Sequence, residues 1–399
     1  MQRVVFLVDM NAFFISCEMT RNPEIIGKPA AVAGNPKNRT GIVLAANYEA
    51  RKYGVKTTMV IHQALKLCPG MMIIPPDHHF YEAKSQDVMK VLSNYSPVVE
   101  QNSIDEAWLD MTGTESLFGT HLEVAQRIMD NINDELGLWC SIGISENKLL
   151  AKIASEIKKP MGITELWIKD IKTKLWPLKV TDLYGIGKQT GVKLNNIGIL
   201  TIGDLSNYNP KALNQMLGKQ GIGLQRLANG IDDSPVIPHA SGEMKSIGRS
   251  NTLSEDAVNI EDLRNVFLEM CEEVGYDARK NNKKARTIQV AIKYSDFQNI
   301  TRQICVEPTY LTKDIYEKGF ALLKKNWNSS KPVRLIGISI TGFEQDSLCA
   351  QLSLFDQSDV FNEVHNLSQK EEKLEKAMDS IRRKHGITSV SRAIQIKKP

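Results

Sequence analysis

The run VVFLVDMNAFF, residues 4–14, opens with five apolar residues and sets Asp9 at their end. A short, unbroken apolar run of this kind reads as a strand buried on both faces. A carboxylate at the end of such a strand is costly unless something neutralises it, so Asp9 is the first candidate for chemistry. The run meets Asp9 too early, and lacks the small-residue cleavage site, for a signal peptide. Working outward, GIVLAA (41–46), MMIIPP (71–76) and CSIGIS (140–145) carry the same strand character, and helical patterns cover about 79–95 and 122–136. A basic helix over about 147–158 stops at Lys159-Pro160, where proline cannot continue it. The first segment is therefore expected to be a mixed α/β domain.

From about 167 to 235 the pattern changes to short helical pieces broken by two glycine turns, LYGIGK (183–188) and GKQGIG (218–223). Two prolines and little apolar periodicity mark SPVIPHASGEMK (234–245) as a linker. Beyond it the order is strand, helix (about 258–280), strand (RTIQVAIKY), strand (ITRQICVE), helix (about 311–326) and strand (VRLIGISITGF). That βαββαβ order suggests a small ferredoxin-like sheet. Residues 346–399 read as a tail: a short apolar motif, a charged helix near 368–384 expected to be solvated, and a basic end.

At 399 residues the chain has room for two to four domains. No apolar run approaches the roughly 18–20 residues of a membrane span. The six cysteines are scattered singly, without CxxC or histidine at ligand spacing, which argues for reduced thiols in cytosol and against zinc. The net charge of +4 is small but uneven, acidic over the first 166 residues and basic over the rest. Such a division suits metal chemistry in front and phosphate contact behind.

Asp105 and Glu106, in SIDEA (103–107), are the second candidate cluster. Phosphoryl or nucleotidyl transfer needs hard oxygen ligands for two Mg²⁺ ions roughly 3.5–4 Å apart. Spacing alone does not bring Asp9 to this pair, and acidic residues also cap surface strands.

Four ordered motifs carry a resemblance: VDMNAFF (8–14), NYEARKYGV (47–55), SIDEAWLD (103–110) and NKLLAKIASEIKKPMG (147–162), joined by R-x-P at 21–23, GKPAAV at 27–32 and KSIGR at 245–249. They resemble the successive motifs of Y-family DNA polymerases, the DNA polymerase IV-like branch most closely. The resemblance implies an α/β (α+β) right-hand polymerase with a ferredoxin-like palm (1–10 and 78–166), small fingers (11–77), a helix-hairpin-helix thumb (167–233), a linker (234–244), a βαββαβ little finger (245–345) and a tail (346–399). It implies that Asp9, Asp105 and Glu106, with the Met10 carbonyl, hold two Mg²⁺ ions. Asn11 stands where the family has Asp or Asn, and Trp108 replaces a more usual Tyr or Phe.

The same resemblance makes Phe14 the steric gate beneath the sugar, with Phe13 beside it. Tyr48 and Arg51, three apart and so on one helix face, would bind the triphosphate together with Lys159. Ser103 and Lys152 would shape the same pocket. Gly185, Gly187 and Lys188 of the hairpin turn, and Lys245 and Arg249 of the third segment, would meet DNA phosphates. Gln351, Leu352, Leu354 and Phe355 in QLSLF resemble the bacterial sliding-clamp-binding pentapeptide. The expected activity is lesion-bypass DNA synthesis by a cytoplasmic monomer on primer-template DNA with dNTPs. A non-catalytic clamp-binding homologue should lack the three carboxylates. Against a polymerase V-type subunit, active only with partners, stand the ordered DNA polymerase IV-like motifs and the internal clamp pentapeptide, and a cyclase has no use for the hairpin or the clamp motif.

Overall fold

The computed structural model describes residues 2–35, 41–238, 244–343, 358–386, 389–390 and 392, with only the backbone given for 358–369. Two compact units divide between residues 238 and 244. No described helix is long and apolar enough to cross a membrane.

The first unit begins with β1 (Val5–Met10), every residue of which is buried. Then follow α1 (Phe13–Arg21), β2 (Ala30–Ala33), β3 (Val43–Ala46), α2 (Tyr48–Lys52), α3 (Ile61–Leu67), β4 (Met72–Ile74) and α4 (His78–Ser93). After these come β5 (Val99–Gln101), β6 (Glu106–Asp110), α5 (Glu115–Phe118), α6 (His121–Leu136), β7 (Cys140–Ser145), α7 (Lys148–Ile157) and β8 (Ile163–Glu165). The main sheet has the order β5-β6-β1-β7-β8, and a smaller one runs β3-β2-β4. The short strand β2 was not among the expected strands because three of its four residues are alanine, which carries little β signal.

Helix ends follow local chemistry. Asp77, Thr120 and Asn147 cap α4, α6 and α7, and Thr120 with Glu123 closes a reciprocal capping box. Alternation along β1 then sorts the two faces of the main sheet. Phe6, Val8 and Met10 pack with Tyr81, Val88, Ile128 and Ile132 of α4 and α6. Val5 and Leu7 pack with Trp108, Ala151 of α7, and Val236. A Cβ on Gly143 would lie 1.9 Å from the Ala151 carbonyl, so glycine is what allows α7 to lie this close to β7.

The segment expected to be a linker thus starts as packed chain. Val236 is buried, and the Ile237 amide donates to Glu100 at 2.7 Å. Apolar periodicity could not reveal a single inserted valine.

The helical segment holds α8 (Lys188–Asn196), α9 (Ile202–Asn207), α10 (Pro210–Leu217) and α11 (Lys219–Ala228) around Leu183, Leu194, Ile202, Leu205 and Leu224. The expected second turn is shorter than the glycine spacing suggested: Gly218 alone turns, at φ +63°, and residues 219–223 already belong to α11.

The second unit comprises β9 (Ser246–Ala257), α12 (Arg264–Lys280), β10 (Ala285–Tyr294), β11 (Asn299–Thr309), α13 (Thr312–Asn326), β12 (Val333–Phe343) and α14 (Ser358–His385). The sheet order is β11-β10-β12-β9 with every pair antiparallel, so each helix-linked strand pair is split by another strand. Ile288, Val290, Ile292, Ile336, Ile338 and Ile340 face Phe267, Val274 and Ile315 of the helices. The alternate positions, among them Gln289, Ala291, Gly337 and Ser339, lie on the opposite face.

The tail helix is not merely solvated, as its charge pattern suggested. Arg279 of α12, only 3% exposed, pairs with Asp379 at 2.6 Å and Glu375 at 3.4 Å of α14. Lys284–Glu372, Lys313–Glu371 and Arg382–Glu272 extend the contact. Acidic residues on one helix face read alike whether they meet water or a buried arginine.

Candidate active site

Strand register brings the carboxylates together. β1 and β6 are antiparallel with Asp9 opposite Glu106, and the Met10 amide donates to the Asp105 carbonyl at 2.8 Å. Asp9 and Glu106 are 6% and 9% exposed, which places them where a charge needs a partner. With Asp105 and Met10 they line a cavity of about 580 Å³ whose wall also carries Phe13, Phe14, Tyr48, Arg51, Ser103, Lys152 and Lys159.

Those partners are lysines. Lys152 Nζ donates to Asp9 Oδ2 at 2.9 Å and to Glu106 Oε2, and reaches Glu156 at 3.3 Å. Lys159 Nζ donates to Asp9 Oδ1 at 2.7 Å and to Glu156 at 2.8 Å. Asn102 Nδ2 donates to the other Glu106 oxygen, and Ser103 Oγ donates to Asp105 Oδ1 at 2.6 Å. Burial alone would raise the Asp9 pKa, but the two ammoniums outweigh it and hold the carboxyl below its usual range. Burial likewise opposes the Lys152 charge, yet Asp9 and Glu106 hold that ammonium well above its ordinary value.

These shifts carry a pH signature. Asp9 is depressed, so its contribution to stability is full above about pH 3.9 and fades as pH falls below. Lys152 is raised, so its contribution is full below about pH 10.4 and fades as pH rises through its folded value. In chelator, the melting temperature is expected to fall at both edges. Lys152→Met should lower the plateau by roughly 2–4 °C per kcal/mol of pairing lost. Scanning calorimetry from below about pH 3.9 to above about pH 10.4 checks this, and a plateau unchanged in Lys152→Met contradicts it.

Among the described residues no three His, Cys, Asp or Glu side chains are grouped as metal ligands. The donor set still fits a hard divalent cation. Asp9 and Glu106 offer oxygen ligands opposite one another, Asp105 stands beside them, and the Lys152 ammonium marks a point between two of them where positive charge is held.

The Tyr48 hydroxyl is buried and has no hydrogen-bond partner among the described residues, an arrangement that suits an arriving acceptor oxygen. The Arg51 guanidinium lies 5.0 Å from the Tyr48 ring centre and its Nε donates to the Ala46 carbonyl at 2.9 Å. Phe14 is half-buried and stacks on Tyr81, centroids 4.4 Å apart, whereas Phe13 is buried in the core.

Some functional contacts escaped the sequence reading. Asn11 Oδ1 accepts from the Met161 amide at 2.8 Å while its Nδ2 donates to Ser141 at 3.0 Å, which fixes the turn carrying Lys159. Glu156 could have been found from its i,i+4 spacing to Lys152. Asn102 left no signal. Trp108 donates from Nε1 to the Lys148 carbonyl at 3.1 Å and lies under the Lys148 ammonium, so it anchors the start of α7.

In the hairpin, Gly185 adopts φ +93° and Gly187 caps α8, which Lys188 begins. In the second unit Lys245 is exposed ahead of β9. Arg249 is paired with Glu273 at 2.8 Å and Asp277 at 2.5 Å. Gln351, Leu352, Leu354 and Phe355 lie outside the described residues.

Comparison with known proteins agrees with this geometry. Residues 8–156 match the impB/mucB/samB family, 244–354 that family's C-terminal domain, and 169–199 the IMS family HHH motif. The chain is 58% identical over 398 residues to DNA polymerase IV of Clostridium kluyveri, covering 100% of this chain and 99% of that one. It is 39% identical to DNA polymerase IV 1 of Bacillus subtilis, covering 99% and 94%. A solved Y-family DNA polymerase chimera superposes with a TM-score of 0.76 at 27% identity, covering 85% of this chain and 99% of that chain.

Proposed function

This chain belongs to the impB/mucB/samB family of Y-family, DNA polymerase IV-type enzymes, and from that premise we propose that it copies past damaged bases using two Mg²⁺ ions and a tail-borne tether to the bacterial sliding clamp. It is a DNA-directed DNA polymerase, and its family implies primer-template DNA, dNTPs and a divalent metal. The observation that carries the finer reading is one cavity lined by four carboxylates (Asp9, Asp105, Glu106 and Glu156), two lysines, Arg51, a half-buried Phe14 and a Tyr48 hydroxyl with no hydrogen-bond partner among the described residues.

Asp9, Asp105, Glu106 and the Met10 carbonyl would hold the ions. Bound there, the metals would favour the primer alkoxide and steady the departing pyrophosphate. The 3′-oxygen forms a bond to the α-phosphorus as the bond to the pyrophosphate oxygen breaks. Tyr48, Arg51 and Lys159 orient the β and γ phosphates, with Arg51 offering a planar fork. Phe14, backed by Tyr81, meets the sugar face and collides with a 2′-hydroxyl, while Phe13 supports the wall.

In this reading residues 1–10 and 78–166 are the palm, 11–77 the fingers, 167–233 the thumb and 245–345 the little finger. Gly185, Gly187 and Lys188 take a phosphate at the α8 N-terminus. The face of the β11-β10-β12-β9 sheet that no described helix covers carries Gln289, Ala291, Gly337, Ser339 and the basic Lys293, and suits close approach of a duplex backbone near Lys245. Arg249 joins only by leaving Glu273 or Asp277. The QLSLF motif tethers a monomeric, cytoplasmic enzyme and raises its effective concentration at the primer.

A primer-extension assay over undamaged and abasic templates tests the reading. Wild-type protein is expected to extend both with Mg²⁺, and Phe14→Ala to accept ribonucleotides. Added clamp should stimulate wild type but not a Leu354→Ala, Phe355→Ala double variant. No extension by folded protein that binds primer-template would refute the stand-alone polymerase.

A further inference from the structure

Glu18 is fully buried, yet nothing in the chemistry above uses it. A buried carboxylate requires several donors, and Glu18 has four. Tyr81 Oη and Arg21 Nη2 donate to its Oε1, each at 2.7 Å, and Arg21 Nε and Asn22 Nδ2 donate to its Oε2 at 2.9 and 3.3 Å. The remaining Arg21 nitrogen donates to Asp77 Oδ2 at 2.9 Å, and Asp77 caps α4, the helix that carries Tyr81. Phe14 and Glu18 are four apart on α1 and so share a face. The Tyr81 ring lies under Phe14 with planes 15° apart.

We propose that Glu18 is a positioning residue for sugar discrimination: it clamps the Tyr81 hydroxyl, and the Tyr81 ring sets the height of Phe14. The inference rests on the reading of Phe14 as the gate. A ring free to sink would leave room for a 2′-hydroxyl, whereas a ring backed by a fully buried tyrosine cannot yield without breaking the hydrogen bond to Glu18. Close packing turns a small displacement there into a change of specificity. The bond joins α1 to α4 directly, so the gate does not depend on the adaptability of the surrounding apolar side chains.

The test measures kcat and KM for a deoxynucleotide and its ribonucleotide with wild type, Glu18→Leu, Tyr81→Phe, their double variant, and each in a Phe14→Ala background. Tyr81→Phe removes one oxygen and keeps the stacked ring, so it guards against loss of fold. Both single variants are expected to lower the preference for the deoxynucleotide roughly tenfold, by improving the ribonucleotide alone. The double variant should match either single one, because both break the same bond, and in the Phe14→Ala background neither should matter. Equal loss with both nucleotides, or an unchanged preference beside a relaxed Phe14→Ala, overturns the proposal. An unchanged preference in Phe14→Ala itself removes the gate reading, and this inference with it.

Discussion

Glu106→Gln is expected to slow single-nucleotide insertion by roughly 10²–10³-fold or more, the size of loss seen when a preorganised electrostatic group is removed from a reacting centre. Glutamine keeps the volume of a residue that is 9% exposed, so the fold is retained. Both carboxylate oxygens now accept, one from Asn102 Nδ2 and the other from Lys152 Nζ. An amide has one acceptor end only, so one of these donors must face another donor. The change also removes a negative charge that a divalent ion would need. Single-turnover insertion on a primer-template is the direct measurement, with a thermal melt and DNA binding as controls. A rate near wild type at saturating nucleotide would show that Glu106 lies outside the reacting centre.

The second large effect concerns stability. Arg279→Met is expected to cost the second unit roughly 3–5 kcal/mol, since removing one partner of a buried ion pair leaves the other charge uncompensated. Arg279 donates from Nε and Nη2 to Asp379, at 2.6 and 3.0 Å, and from Nη1 to the Tyr310 carbonyl at 3.0 Å. Methionine fills much of the volume but satisfies none of these acceptors. Glu375 would keep Arg392 at 2.5 Å, while Asp379 would lose its arginine. Two outcomes express the loss: a lower denaturation midpoint, or release of α14 as earlier cleavage by a protease and faster amide exchange over 370–385. A variant with wild-type midpoint and wild-type protection would show that the network contributes little.

Most strands and helices were legible because their signals are local. Apolar runs marked β1 and β7, and Lys159-Pro160 marked the end of α7. Asp9, Phe14, Tyr48, Arg51, Asp105, Glu106 and Lys159, proposed for metal, sugar and phosphate, were legible only as members of short motifs, and the fold gathers them around one cavity. Contacts that escaped join residues far apart. Glu18 carries no sequence signal of its burial, which comes from Tyr81 and Arg21 closing over it. Glu375 and Asp379 belonged to a charged helix expected to be solvated until Arg279 met them.

The sequence by itself determined where the chain turns, which residues leave water and which residue types the site would need. Periodicity records the partition of side chains between core and solvent, and that partition is settled within a few residues. Only the tertiary structure decided which charge meets which. Strand register set Asp9 opposite Glu106, the close approach at Gly143 brought Lys152 over both, and burial between helices made Glu18 and Arg279 strong rather than ordinary ions. The reason is that a charge's energy depends on its distance to a partner and on the water excluded around it, and distant segments fix both only when they pack.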